Sequence, residues 1–197
     1  MGEKGLVKKY RMAKYQGKAV IIQSELNRRF KATDFVFVCD MTDLFGDWVP
    51  KECIIETLDF IKKSKARFLL LTKNPRRYLD FEMPPNVTLG CTVESNRSYP
   101  LVCKAPLQSE RLEAMREVQR KFMNPIFISI EPIMDFNLHY FLENIERLSP
   151  WGVAVGYDNY GWKLDEPTLE KTEMLIRELQ GFTRVYRKSI RKAWWEE

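Results

Sequence analysis

Short, nearly continuous apolar runs alternate with longer amphipathic stretches along this chain. Residues 35–38, 68–71, 87–89, 126–130 and 153–155 are rich in Val, Ile, Leu and Phe, the composition of strands buried on both faces of a parallel sheet. They run into polar residues: Asp40, Lys73, Glu94, Glu131 and Asp158, in that order. The stretches between them have helical spacing. Ile54, Ile55, Leu58 and Ile61 recur through residues 51–65, Leu112, Met115, Val118 and Phe122 through 107–122, and Phe141, Ile145 and Leu148 through 136–148. Pro167 opens a fourth such stretch, whose Leu169, Met174, Leu175, Ile176 and Leu179 lead to a stop at Gly181. Residues 74–81 read as a short helical or turning segment ahead of Pro84 and Pro85, 183–189 as a sixth strand, and 19–23 as an additional N-terminal strand.

Repeated strand-to-helix alternation calls for right-handed parallel crossovers and predicts an α/β fold. Six or seven strands in 197 residues point to a partial parallel β/α barrel rather than the full eight-unit form of about 250 residues, with a doubly wound sheet as the other arrangement. In a barrel, the C-terminal strand ends converge on one mouth. Asp40, Lys73, Glu94, Glu131, Asp158 and Arg187 are expected to surround it. A single domain over residues 1–197, with basic N-terminal and C-terminal extensions, is the expected organisation.

Composition narrows the function classes. Apolar residues make up 45% of the chain and charged residues 30%, which excludes a disordered, low-complexity protein. The apolar runs are far shorter than the roughly 20 residues of a membrane span. The start, MGEKGLVKKYRMAKYQGK, is basic without an apolar signal core, so a cytoplasmic location and no membrane partner are expected. Cys39, Cys53, Cys91 and Cys103 lack the close pairs of a zinc or iron–sulfur motif and read as free thiols. The net charge of +5 is unevenly placed: residues 1–33 hold nine Lys or Arg against two Glu, and residues 184–197 hold five against two. Basic ends around an acidic middle suit a phosphate-bearing partner beside carboxylates, and equally suit two solvated termini.

The segments CDMTDLFGDWVP (39–50), FLLLTKNPRRY (68–78), NVTLGCTVES (86–95) and ISIEPIMDF (128–136), followed by VAVGYDN and VYRKS, resemble in order and spacing a phage-associated, radical-SAM-like protein family of largely unassigned function. The resemblance covers about residues 18–191. It implies a partial β/α barrel related to enzymes that use S-adenosylmethionine and a four-iron, four-sulfur cluster. Members with the complete pattern carry three closely spaced cysteines ahead of the matching region, whereas no cysteine precedes Cys39 here. The expected barrel therefore lacks the N-terminal cluster loop, and an iron–sulfur cluster is not expected from this chain alone. It would need Cys39, Cys91 and Cys103 brought together, or ligands from another chain. The resemblance also sets Asp40 and Asp43 near the adenosylmethionine amino group. Asp43 and Glu94 are the candidate cofactor-binding residues.

Asp40, Lys73, Glu94, Glu131 and Asp158 are the candidate catalytic residues. Lys73 is the best-placed cation for a phosphate or carboxylate, with Arg187 and Lys188 offering similar chemistry. The alternative for Asp43 is a turn cap, and for Asp40 a solvated position. Glu94, Glu131 and Asp158 carry the oxygen donors that a hard divalent cation prefers, but separations of 37 and 27 residues define no geometry, and no metal ligand is assigned. His139 belongs to a helix face. Tyr157, Tyr160 and Trp162 form either a stacking platform or loop packing, and Trp194 and Trp195 dock the tail either internally or on a partner. The function expected is a radical-SAM-like barrel without its own cluster motif, binding a polar small molecule or phosphate-bearing ligand. Nucleic acid and a partner protein stay open as partners. The alternatives are a metal-dependent hydrolase and a non-enzymatic nucleic-acid-associated or structural module, so enzymatic status is open too.

Overall fold

A computed structural model of the chain describes residues 19–197. Strands β1 (Phe35–Val38), β2 (Arg67–Thr72), β3 (Val87–Thr92), β4 (Ile126–Ile130), β5 (Gly152–Val155) and β6 (Arg184–Arg187) form one sheet in sequence order, every neighbouring pair parallel. Helices α1 (Lys51–Lys63), α2 (Gln108–Lys121), α3 (Leu138–Glu146) and α4 (Leu169–Gln180) alternate with the strands, and a 3-10 segment, Pro75–Asp80, links β2 to β3. The result is the expected α/β half-barrel.

Side-chain alternation divides the sheet into two faces. Phe68, Leu70, Val87, Leu89, Ile126, Ile128, Val153 and Val155 point outward into the main core, where they meet Ile54, Leu58, Ile61, Leu112, Met115, Val118, Phe141, Ile145 and Leu179 of the helices. Leu69, Phe127, Ala154 and Tyr186 form a second, smaller cluster on the concave face. Thr88, Thr92 and Ser129 share that inner parity and bring hydroxyls into the bore. Curling brings distant strands together: Phe35, entering β1, meets Trp151, entering β5, with ring centroids 6.0 Å apart. Gly152 makes room for this packing, because a Cβ there would stand 2.9 Å from Tyr186 Cε2 and 3.3 Å from Phe127 Cε2.

Residues 19–23 differ from expectation. They form no strand, and a single helical turn, Gln23–Leu26, follows. Gln23 Nε2 donates to Glu56 Oε1 at 2.8 Å, and Cys53 Sγ lies 3.9 Å from the Ala19 carbonyl. The segment therefore lies along α1 instead of the free edge of β1, and Val20 and Ile22 are exposed. Among the described residues, no helix is long and apolar enough to cross a membrane.

Candidate ligand-binding mouth

β2 and β3 end in a buried charge chain. Glu94 is 3% exposed; its Oε2 accepts a 2.8 Å bond from Arg111 Nη1, and its Oε1 meets the Lys73 ammonium in an ion pair outside hydrogen-bond alignment. Arg111 projects from α2 and is 1% exposed. It also donates to the Thr92 carbonyl at 3.0 Å and, through Nε, to the Pro106 carbonyl at 2.7 Å, while Nη2 lies 3.3 Å from Cys103 Sγ. A buried carboxylate is tolerated only when paired and hydrogen-bonded, which Arg111 achieves here. Of the two cations on this carboxylate, Arg111 is the buried, hydrogen-bonded partner, and Lys73, whose side chain is 36% exposed, is the one that reaches solvent.

The strand register assembles the neighbouring group. Thr92 pairs with Ser129, Ser129 with Ala154, and Ala154 with Tyr186. Glu94, Glu131, Gly156 and Lys188 each stand two residues further on and so share the concave parity. Ser129 Oγ donates to Glu131 Oε2 at 3.4 Å. Burial pushes the Glu131 carboxyl above its ordinary value, an effect that Lys188 and Ser129 partly offset. At Gly156 a Cβ would stand 2.8 Å from Lys188 Cβ and 3.1 Å from Glu131 Oε1, so only glycine lets these side chains meet over β5. The peptide bond between Glu131 and Pro132 is cis.

The other candidate carboxylates turn toward the backbone. Asp43 Oδ2 accepts from Thr72 Oγ1 and Lys73 N, both at 2.9 Å, and Oδ1 accepts from Phe45 N at 2.9 Å. Asp43 thereby ties the β1–α1 loop to the end of β2 and fixes the backbone of Lys73. Asp158, 6% exposed, accepts from Tyr160 N at 3.0 Å and Trp162 N at 2.7 Å, shaping the loop after β5. Asp40 is exposed just beyond β1. Thus Lys73, Glu94 and Glu131 share the inner strand ends, while Asp43 and Asp158 act on loop backbone.

Aromatic and basic residues also sort themselves. Tyr157 is buried, with its hydroxyl 3.1 Å from the Pro167 carbonyl and 2.7 Å from Thr172 Oγ1, whereas Tyr160 and Trp162 are exposed. The C-terminal tail docks internally: Trp194 Nε1 donates to the Leu164 carbonyl at 2.7 Å, Trp195 Nε1 to the Glu166 carbonyl at 3.1 Å, and Arg191 grips the Glu166 carboxylate with two bonds. Arg187 pairs with Glu173 on the outer side. His139 lines a groove of about 300 Å³ with Leu142, Glu143, Glu146, Glu178 and Phe182, away from the strand ends. Sequence reasoning missed Arg111. Its signal is a single charge in the register Arg111, Met115, Val118, Phe122, on an otherwise apolar helix face.

Among the described residues, no three His, Cys, Asp or Glu side chains come together to hold a metal ion. Cys91 lies in the main core, where burial pushes its thiol well above the ordinary value. Cys39 follows β1 and is pushed up by burial and by Asp40 and Asp43, Cys53 belongs to α1, and Cys103 faces Arg111. An iron–sulfur cluster requires thiolates gathered around it, and these four cysteines do not fit one.

The family described as protein of unknown function (DUF5131) matches residues 4–156. No curated protein matches the chain significantly. Among solved structures, a cysteine-to-alanine variant of spore photoproduct lyase with dinucleoside spore photoproduct superposes with a TM-score of 0.59 at 14% identity, over 84% of this chain and 65% of that one. A further variant of that lyase, with bound AdoMet and the same dinucleoside, has a TM-score of 0.60 at 14% identity, over 84% of this chain and 64% of that one. The chain thus spans just under two thirds of the length of these lyase chains. The likeness shows a radical-SAM-like fold.

Proposed function

The chain belongs to the family of proteins of unknown function (DUF5131), and we propose that it is a radical-SAM-like half-barrel whose mouth binds a polar, anionic ligand. The observation that carries this reading is the chain Arg111–Glu94–Lys73, in which Arg111 already holds the Glu94 carboxylate and the partly exposed Lys73 ammonium is presented at the inner strand ends. A ligand phosphate or carboxylate finds its counter-ion in Lys73, and partial burial strengthens that contact over one in open water. Glu131 and Lys188 form a second pole. There Glu131 accepts a proton or hydrogen bond from a ligand hydroxyl or amine, and the Thr92 and Ser129 hydroxyls offer bonds deeper in the bore. Asp40 and Asp158 stand at the rim, and Asp43 positions Lys73.

S-adenosylmethionine, present in one of the superposed lyase structures, carries a carboxylate, an amine and a nucleoside, and falls within this chemical class. Nucleoside phosphates do as well. The mouth binds such a ligand, and the four cysteines do not fit the cluster that radical chemistry on it would need. Calorimetry of the full chain with S-adenosylmethionine and with adenosine monophosphate tests it. One of the two is expected to bind, and Lys73→Gln or Glu131→Gln to weaken that binding by about 1–3 kcal/mol through a lost charge-assisted contact. Absence of heat with both ligands, or undiminished affinity in both variants, overturns the proposal.

A further inference from the structure

At the opposite end of the sheet, where the strands begin, the chemistry changes. Phe35 and Trp151 meet there, 44% and 41% exposed. The Arg67 guanidinium carbon lies 5.8 Å from the Phe35 ring centroid, and that of Arg184 lies 5.8 Å from the Trp151 centroid. Phe127 and Tyr186 support Trp151 from the bore, at 6.5 and 6.0 Å. A braced, half-exposed aromatic pair therefore has a cation at each side.

Further positive charge surrounds this pair. Arg29, Lys31 and Lys65 are exposed in the segments leading into β1 and β2. Among the described residues, none of Arg29, Lys31, Lys65, Arg67 and Arg184 forms an ion pair. The last-turn Lys62 and Lys63 of α1 and Arg120 and Lys121 of α2 also face this end, where they complement helix dipoles. The residues leading into the strands have no such internal role. Asp34, whose Oδ2 accepts from Lys31 N at 2.8 Å, sits among them, and Asp59 and Glu82 line one neighbouring groove and Glu143, Glu146 and Glu178 another.

We propose that this strand-entry end binds single-stranded nucleic acid, with Arg67 and Arg184 on backbone phosphates and an unpaired base against the exposed Phe35–Trp151 edge. A run of phosphates answers several clustered, unpaired cations at once. The aromatic pair favours a ligand with π faces over an acidic peptide, and unpaired bases over a duplex whose bases are already stacked. This surface is separate from the mouth and does not depend on what the mouth binds.

Fluorescence anisotropy tests it, using the full chain, labelled DNA and RNA single strands of about 20 nucleotides, longer than one typical binding module covers, and a series of salt concentrations. Binding of either strand is expected at low salt, weakening linearly on a log–log plot. Arg67→Ser combined with Arg184→Ser is expected to lower affinity about tenfold or more, and to reduce the salt slope by about 1.4, since each neutralised phosphate contributes about 0.7 on a single strand. Lys51→Ser combined with Lys104→Ser removes equal charge from the mouth end and is expected to leave both quantities unchanged. Four outcomes overturn the proposal: no binding at low salt, wild-type affinity in the arginine variant, an equal loss in the lysine variant, or preference for phosphatidylglycerol vesicles over both strands.

Discussion

The two ends of this sheet are built from the same six strands and treat charge in opposite ways. At the mouth, Glu94 is held between two cations, Asp43 and Asp158 bind backbone N–H groups, and Glu131 faces Ser129 and Lys188. At the strand entries, Arg67 and Arg184 lie over aromatic rings and form no ion pair among the described residues. Burial explains the contrast. An ion taken out of water must find its counter-ion within the fold, whereas an exposed one is stabilised by water and can wait for a partner. Charges cancelled internally therefore describe architecture, and charges left over describe what the protein can bind. Lys73 stands between the two cases, because it pairs with Glu94 while the Arg111 bond already balances that carboxylate.

The sharpest way to break this contrast is Arg111→Ala. It leaves Glu94 buried with only Lys73 beside it, and a loss of about 3–5 kcal/mol is expected, as for other buried ion pairs deprived of one partner. Urea denaturation measures it. A loss under about 1 kcal/mol would mean that Glu94 reaches water and that the mouth is not held together by internal pairing.

Glu131→Gln should produce a smaller effect of opposite sign. Burial raises the folded-state value of this carboxyl above its ordinary value of 4.5. Between those two values the folded chain binds more protons than the unfolded chain, so the contribution of Glu131 to stability declines as pH rises through that window. The variant lacks this decline and is expected to gain on the wild type as pH rises toward neutrality, as thermal unfolding at a series of pH values would record. A gain appearing on acidification instead would show that Glu131 is stabilised as an anion. The smallest effect belongs to the strand entries: Arg67→Ser combined with Arg184→Ser should shift folding stability by no more than about 0.5 kcal/mol. A larger loss would place these cations inside the architecture and erase the distinction between the two ends.

Legibility followed the range of the interaction. The six strands and four helices are visible as apolar periodicity because each is a property of consecutive residues. Residues 19–23 mislead for a related reason: an apolar run announces that it will be covered, not by what, and this one lies along α1. Within GYDNYGW, Tyr157 is buried and Tyr160 exposed, although both lie in one short segment of glycine and polar residues. The carboxylates divide in the same manner. Asp43 and Glu94 both follow strands, yet one ties a loop through Lys73 N and the other anchors a buried arginine.

The alternation of strand and helix, the common direction of the strands, and hence which residues lie toward the mouth and which toward the strand entries, follow from the order of residues along the chain. Local periodicity and the handedness of crossovers suffice for that. Which charges are cancelled is set by contacts made in the folded chain. Arg111 meets Glu94 across 17 positions and Thr72 meets Asp43 across 29, while Phe35 meets Trp151 because the sheet curls. Desolvation and hydrogen bonding act over a few ångströms of space, and the spacing of residues along a chain does not encode which distant side chains will be brought within that range.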